Sequence, residues 1–155
     1  MDQTRILKEI EDIYRDPPDN ISAGPIDDKD LLHWEAVING PDDTDYKDGV
    51  FLLDIKIPKD YPFKRPICKF KTRMYHPNIN KDTGAICLNI LNNWNPSLTI
   101  SNVLMSIMLL LYTPNFKHGL NQEAIDLHKK SEDEYKQTVR KWVKENSGKE
   151  NCKYQ

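Results

Sequence analysis

The sequence lacks most features that mark a disulfide-stabilised, metal-binding or nucleotide-binding protein. It holds only three cysteines, Cys68, Cys87 and Cys152, an odd number without a C-x-x-C pair. This pattern disfavours both a disulfide framework and a thiolate zinc site. No GxGxxG, Walker, HExxH or paired-carboxylate pattern is present. The thiols are therefore expected to be reduced, which suits the cytoplasm or the nucleus.

Neither charge nor hydrophobicity points to a nucleic acid or a membrane as partner. The formal net charge is -2 and the pI is about 6.1, so no global field attracts nucleic acid. The longest apolar run, 103–112, is interrupted by Ser106 and is far shorter than the roughly 20 residues of a membrane span. The charged N-terminus does not resemble a secretory signal. We therefore expect a soluble protein of the cytoplasm or the nucleus.

The first part of the chain predicts a helix followed by strands. Apolar residues recur at helical spacing over 3–15, and Pro17 and Pro18 end the pattern. The apolar stripe of this helix would comprise Ile6, Leu7, Ile10, Ile13 and Tyr14. The opposite, solvated face would carry Arg5, Lys8, Glu9, Glu11 and Asp12. Strands are predicted over 21–26, 31–39, 50–57 and 67–71, and the short loops between them favour an antiparallel meander.

Three helices are predicted after residue 98. The first follows a cap at Thr99 or Ser101 and is expected to be buried, because it is apolar on nearly all sides. The second begins after Asn121. The third follows Ser131, and Glu134 stands at capping-box spacing from that serine.

The order of these elements predicts one α+β domain, in which an antiparallel meander sheet packs against helices. The core domain is expected over 1–146, and the polar tail, 147–155, is expected to be disordered. The segment 72–98 fits neither the helical nor the strand period. Long irregular segments inside compact domains are usually functional, and this one contains enough apolar residues to be ordered. A functional site is therefore expected there.

Cys87 lies inside this irregular segment, and its neighbours leave its role open. Free cysteines are often buried in cores, and Ile86 and Leu88 would suit such a place. The alternative is a nucleophile with His76 as its base, as in a Cys–His protease. However, a histidine followed by Pro77 and Asn78 is more typical of a turn residue that bonds nearby backbone.

Several motifs together identify a family to which the chain is similar. They are YHPNIN at 75–80, GAICLNIL at 84–91, W-x-P at 94–96 and LTIS at 98–101, with RDPP at 15–18, SAGP at 22–25, DYPFKRP at 60–66 and TPN at 113–115. Over residues 1–146 the chain resembles the ubiquitin-conjugating enzymes, in particular their short, broad-specificity branch. The fold of that family agrees with the order of elements predicted above.

The resemblance implies that Cys87 accepts the C-terminal carboxyl of ubiquitin as a thioester and passes it to a substrate lysine or a ligase cysteine. The sequence next to Cys87 supplies no cation, so orientation is expected to supply much of the rate. Asn78 would stabilise the oxyanion, worth roughly 3–4 kcal/mol, or hold the loop by backbone bonds. No bound cofactor or metal is implied, since ATP is used by the activating enzyme. The positions expected to support the site structurally are His76, Pro77 and Asn115.

The partners implied by the resemblance are ubiquitin, its activating enzyme, protein substrates and ligases of the RING, U-box or HECT type. The surface for the activating enzyme and the ligases would comprise Arg5, Lys8, Phe63, Trp94, Asn95 and Pro96. Ser22 matches a position at which some members bind a second ubiquitin non-covalently.

Three departures from the family pattern lie near Cys87. The resemblance places Asn89 and His118 with Cys87 and Asn78 among the catalytic positions, but Asn89 replaces a common aspartate. His118 and Gly119 stand where an acid or serine and a proline are usual. The loop from His76 to Cys87 is also one residue longer than the commonest spacing. Asn89 can orient a lysine but cannot deprotonate it, so direct transfer to a free lysine is expected to be less efficient. Transfer to a ligase cysteine needs no activation of a lysine and is expected to be less affected.

Other functions compete with this one. A catalytically inactive binding scaffold of the same fold would use the surfaces without the thiol. A conjugating enzyme for another ubiquitin-like modifier would share the chemistry but not the cargo. A Cys–His hydrolase would need His76 to face Cys87.

Overall fold

The computed structural model describes residues 3–148 and confirms the predicted α+β fold. Four strands form a single antiparallel meander in the order β1, β2, β3 and β4, between an N-terminal helix and the later helices. The elements are α1 (Thr4–Arg15), β1 (Ile21–Asp27), β2 (Asp30–Asn39), β3 (Val50–Lys56), β4 (Ile67–Phe70), α2 (Asn89–Asn92), α3 (Ile100–Tyr112), α4 (Gln122–Lys130) and α5 (Glu132–Asn146).

The sheet turns one apolar face toward the helices. Alternate residues of the central strands are almost wholly buried, because successive side chains of a strand point to opposite faces. They are Trp34, Ala36, Ile38, Phe51, Leu53 and Ile55. Burial of each large apolar side chain contributes about 1.5–3 kcal/mol, so this face fixes the strand register. The opposite face is more exposed and carries Ser22 on β1.

Helix α1 buries a narrower stripe than its sequence predicts. Ile6 and Ile13 are buried, but Leu7 and Tyr14 are 53% and 64% exposed. The third buried residue is Glu9, which the sequence pattern assigns to the solvated face. The prediction was therefore wrong for Leu7, Glu9 and Tyr14. Glu9 lies inside because its carboxylate has hydrogen-bond partners on other elements, and a helical pattern does not contain those partners.

Helix α3 begins at the predicted Thr99 cap but is not buried on all sides. The Thr99 hydroxyl accepts from the Asn102 amide, and the Asn102 side chain accepts from the Thr99 amide. Met105 and Leu109 are 58% and 60% exposed, and Tyr112 is exposed beside them. These three residues recur at helical spacing, so one apolar face of α3 is open among the described residues. None of the described helices has the length and hydrophobicity to cross a membrane.

Two residues after α5 also pack on the domain. Ser147 is buried, its carbonyl accepts from the Val50 amide at 2.7 Å, and Gly148 forms a bridge with Gly49. These two residues of the predicted tail therefore pack on the domain. The rest of that tail, 149–155, lies outside the described residues.

Candidate active site

The irregular segment between β4 and α3 is held to the sheet edge by backbone bonds. The Phe70 amide donates to the Gly84 carbonyl at 2.9 Å, and bridges join Lys69 to Ala85 and Ile79 to Ile86. Gly84 has a φ of 77°, and a Cβ there would lie 2.0 Å from the Phe70 carbonyl oxygen. Only glycine fits this close approach without displacing the backbone, so Gly84 sets the path of the chain toward Cys87.

Cys87 follows this loop and is partly exposed. Its amide donates to the Asn78 carbonyl at 2.8 Å, and the side chain of Leu88 beside it is buried. Cys68 differs from it: its side chain lies in the core, and burial raises the pKa of its thiol to about 12. Of the two cysteines that the structure describes, Cys87 is thus the one that combines access with a fixed backbone.

The Asn78 side chain joins this loop to the loop before α4. Its Nδ2 donates to the carbonyls of Asn115 and His118 at 2.9 and 2.8 Å, and its Oδ1 accepts from the Asn115 amide at 2.9 Å. The residue is only 1% exposed. Since its backbone carbonyl holds Cys87, Asn78 is the common contact of three residues predicted for the site.

His76 is enclosed and occupied at both ring nitrogens. Its Nε2 donates to the Leu110 carbonyl at 2.8 Å, and its Nδ1 accepts from the Asn78 amide at 3.0 Å. The ring is fully buried, and burial lowers the pKa of His76 to about 4. No ring nitrogen is left to take a proton from Cys87, so the geometry does not support a Cys–His hydrolase.

The titration of His76 predicts a pH dependence of stability. The unfolded state binds the proton near pH 6.5 and the folded state only near pH 4, so the stabilisation is complete above pH 6.5 and falls below it. The loss should reach roughly 3 kcal/mol by pH 4. Urea unfolding between pH 7 and 4.5 would measure it, and His76→Gln, which does not titrate, should flatten the slope. Equal slopes for both proteins would contradict the assignment.

The remaining predicted residues near the thiol lie in two exposed segments. Asn89 is the exposed first residue of α2, and His118 and Gly119 are exposed in the loop before α4. Pro77 holds this loop, because its carbonyl accepts from the amides of Leu120 and Asn121. A Cβ at Gly119 would lie 2.1 Å from the Pro77 carbonyl oxygen, so glycine permits the loop to approach closely.

The predicted partner surface forms one face from α1 and two loops. Phe63 is 78% exposed, and Asn95 and Pro96 are exposed in the loop before α3. Trp94 is partly buried, and its Nε1 donates to the Pro62 carbonyl at 2.7 Å. The Lys8 ammonium is exposed and 3.7 Å from Asp12. Ser22 does not join this face, because it lies on the outer side of the sheet.

Two further features escape prediction from the sequence. Arg5 is not a free surface cation, because it donates to Glu9 and to the carbonyls of Pro96 and Leu98. The spacing of Glu9 from Ile6 and Ile13 is the one signal in the sequence that places it beside the apolar stripe, but it does not identify the partners that enclose the carboxylate. A cleft of about 1030 Å³ also lies between the 42–48 loop and α5, but Cys87 does not line it.

Comparison with known proteins gives one consistent result. The family model described as ubiquitin-conjugating enzyme matches residues 5–143. A ubiquitin-conjugating enzyme E2 domain of Toxoplasma gondii has a similar structure, with a TM-score of 0.87 and 38% sequence identity over 94% of this chain and 99% of that one. With the fold, the loop that carries Cys87 and a family match over most of the described residues, the chain belongs to the ubiquitin-conjugating enzyme family.

Proposed function

We propose that this protein accepts ubiquitin from the activating enzyme as a thioester on Cys87 and passes it to a substrate lysine or a ligase cysteine. The observation that carries the proposal is the partly exposed Cys87 thiol on a backbone fixed by Asn78. Cys68 cannot share this role, because burial raises the pKa of its thiol and denies access. No cofactor is needed, since the activating enzyme uses the ATP.

The chemistry is thiol–thioester exchange followed by acyl transfer. The Cys87 thiolate attacks the carbonyl carbon of the incoming thioester, and the activating enzyme leaves as its thiolate. An acceptor amine or thiol then attacks the new thioester, the carbonyl oxygen becomes negative, and Cys87 leaves as the thiolate. Each exchange between thiols conserves the bond type, so the carrier can load and unload.

Two roles are proposed for Asn78 in this cycle. Its side chain already donates to two backbone carbonyls, so an oxyanion would have to replace one of those acceptors. The bonds seen here support the role of holding the 115–118 loop beside Cys87. Oxyanion stabilisation would then follow only after a rearrangement at His118 or Asn115.

The face formed by α1, Phe63 and the 94–96 loop is proposed to bind the activating enzyme and ligases of the RING, U-box or HECT type. Its exposed Phe63 and Pro96 offer apolar contact, and Lys8 offers a cation at the rim. Ser22, on the opposite side of the sheet, is proposed as a site for a second ubiquitin. The proposed compartments are the cytoplasm and the nucleus.

Loading the protein with activating enzyme, ATP and ubiquitin tests the proposal directly. A thiol-sensitive adduct of one ubiquitin is expected on a non-reducing gel. An adduct formed only with another ubiquitin-like modifier would redirect the proposal to that modifier. Absence of every adduct would favour the binding scaffold.

Asn89→Asp is expected to speed discharge of the thioester to free lysine by roughly threefold to tenfold, because a carboxylate can accept the proton of the attacking amine. Loading should be unchanged, since thiol exchange needs no such base. Single-turnover discharge at several lysine concentrations measures the effect. Asn92→Asp is the matched control, since it adds the same charge at another exposed residue of α2. A discharge rate equal to or below that of the wild type would contradict the hypothesis that the neutral amide of Asn89 limits attack by lysine.

A further inference from the structure

Glu9 is a buried carboxylate whose two oxygens receive hydrogen bonds from three separate parts of the chain. It is only 6% exposed. Oε2 accepts from Arg5 Nε at 2.8 Å and from the Tyr61 hydroxyl at 2.7 Å, and Oε1 accepts from the Ile100 amide at 2.8 Å. The last bond places a negative charge at the first residue of α3, where the helix dipole favours it. One side chain thus connects α1, the 58–65 turn and α3.

Arg5 extends this connection to the loop before α3. Its two terminal nitrogens donate to the carbonyls of Pro96 and Leu98 at 3.0 and 2.6 Å. Its guanidinium also lies 5.5 Å from the centre of the Tyr61 ring. Because the guanidinium is planar, the bond to Glu9 fixes the direction in which Arg5 presents its remaining donors. Glu9 therefore orients the 94–98 loop through Arg5.

The 58–65 turn and the 94–98 loop are also joined to each other. Trp94 Nε1 donates to the Pro62 carbonyl at 2.7 Å, and the Trp94 and Tyr61 rings pack with their centres 5.9 Å apart. Phe63 projects from the turn, one residue after Pro62, and is 78% exposed. The positions of the exposed residues on both segments therefore depend on contacts that include Glu9.

A neutral apolar residue at position 9 could not make these contacts. The Tyr61 hydroxyl and the Ile100 amide would lose their acceptor, at about 1–3 kcal/mol for each unsatisfied buried group. A buried charge carries a desolvation penalty, which the ion pair with Arg5 and the bonds from Tyr61 and Ile100 offset. The same contacts set the relative positions of three segments that present exposed side chains.

We propose that Glu9 is a positioning residue, which holds α1, the 58–65 turn and the 94–98 loop as one preformed surface for a ligase domain. Phe63 and Pro96 are the exposed apolar residues of the turn and the loop. The proposal rests on the proposed function of that surface. Because Glu9 is buried, it would act without contacting the ligase domain itself, and Arg5 would act by holding loop carbonyls. Preformed surfaces bind more tightly because less ordering is required on association. The affinity for a ligase domain should therefore depend on Glu9, whereas the reactivity of the thioester should not.

Glu9→Gln tests this, with Glu11→Gln as the matched control. Both remove one negative charge from α1, but Glu11 is exposed and pairs with Arg15 of the same helix rather than with any loop of the described range 3–148. For an isolated RING domain that binds the wild type, the Kd measured by titration should rise at least fivefold for Glu9→Gln and less than twofold for Glu11→Gln. Discharge of loaded ubiquitin without the RING domain should stay within twofold of the wild type.

Amide spectra give a second readout that needs no ubiquitin. In ¹H–¹⁵N spectra, Glu9→Gln should shift amides of 61–65 and 94–100 and leave those of 76–89 in place. Tyr61→Phe removes one donor and should shift the same amides less. If Glu9→Gln does not fold, Arg5→Lys serves instead, since a lysine cannot hold both loop carbonyls and Glu9 together.

The outcomes separate this proposal from the proposed function. Unshifted loop amides, or a Kd equal to that of Glu11→Gln, would overturn the role of Glu9. A parallel fall in ligase-free discharge would show general damage and overturn it as well. Failure of the wild type to load ubiquitin would overturn the proposed function instead, while the amide spectra still decide whether Glu9 positions the loops.

Discussion

Cys87→Ser is expected to abolish the thiol-sensitive ubiquitin adduct completely. A serine hydroxyl is a far weaker nucleophile near neutral pH than a thiol, and any ester that it formed would survive reducing agents. Cys87 is the accessible one of the two described thiols, so the other described thiol, Cys68, cannot replace it. The measurement is loading with activating enzyme, ATP and ubiquitin, run on gels with and without reductant.

The other two cysteines provide the controls. Cys68→Ser should still load, although a hydroxyl in the core near β4 is expected to lower stability by about 1–3 kcal/mol. Cys152→Ser should also load, which tests the one cysteine outside the described residues. A reductant-sensitive adduct that persists in Cys87→Ser, or disappears only in Cys68→Ser, would contradict the assignment of the nucleophile.

The sequence predicts the fold well because its elements follow local periodicity and caps. The four strands lie within two residues of their predicted ends, and Thr99, Asn121 and Ser131 all accept the backbone bonds expected of caps. These features depend on neighbours in the chain. The fold class and the meander order could therefore be inferred before the structure.

The features that the sequence does not predict depend on distant partners. Glu9 is buried because Tyr61 and Ile100 meet it across the fold, and no helical pattern contains that information. Likewise, α3 is apolar all round, yet Met105 and Leu109 are exposed because no described element covers that side. Where the helical pattern of the sequence and the contacts in the fold disagree, the contacts decide which side chains are buried.

The same distinction applies to Asn78, for which the sequence motif alone suggests two roles. Asn78→Ala is expected to slow discharge to lysine by roughly a hundredfold or more, because it removes both the bonds that hold the 115–118 loop beside Cys87 and the donor proposed for the oxyanion. It should also lower the free energy of unfolding by about 2–4 kcal/mol, because the Asn115 and His118 backbone groups lose their partner. Single-turnover discharge and urea unfolding measure the two effects separately.

Gly119→Ala separates the roles because it displaces the same loop while the Asn78 side chain itself is kept. Its new Cβ would collide with the Pro77 carbonyl oxygen and push the 115–119 loop outward. If Asn78 acts by holding that loop beside Cys87, Gly119→Ala should slow discharge at least tenfold and shift the same loop amides. Normal discharge in Gly119→Ala beside slow discharge in Asn78→Ala would assign the loss to the amide itself. Near-normal discharge in Asn78→Ala would remove both roles, and catalysis would then depend on the Cys87 thiol and its backbone alone.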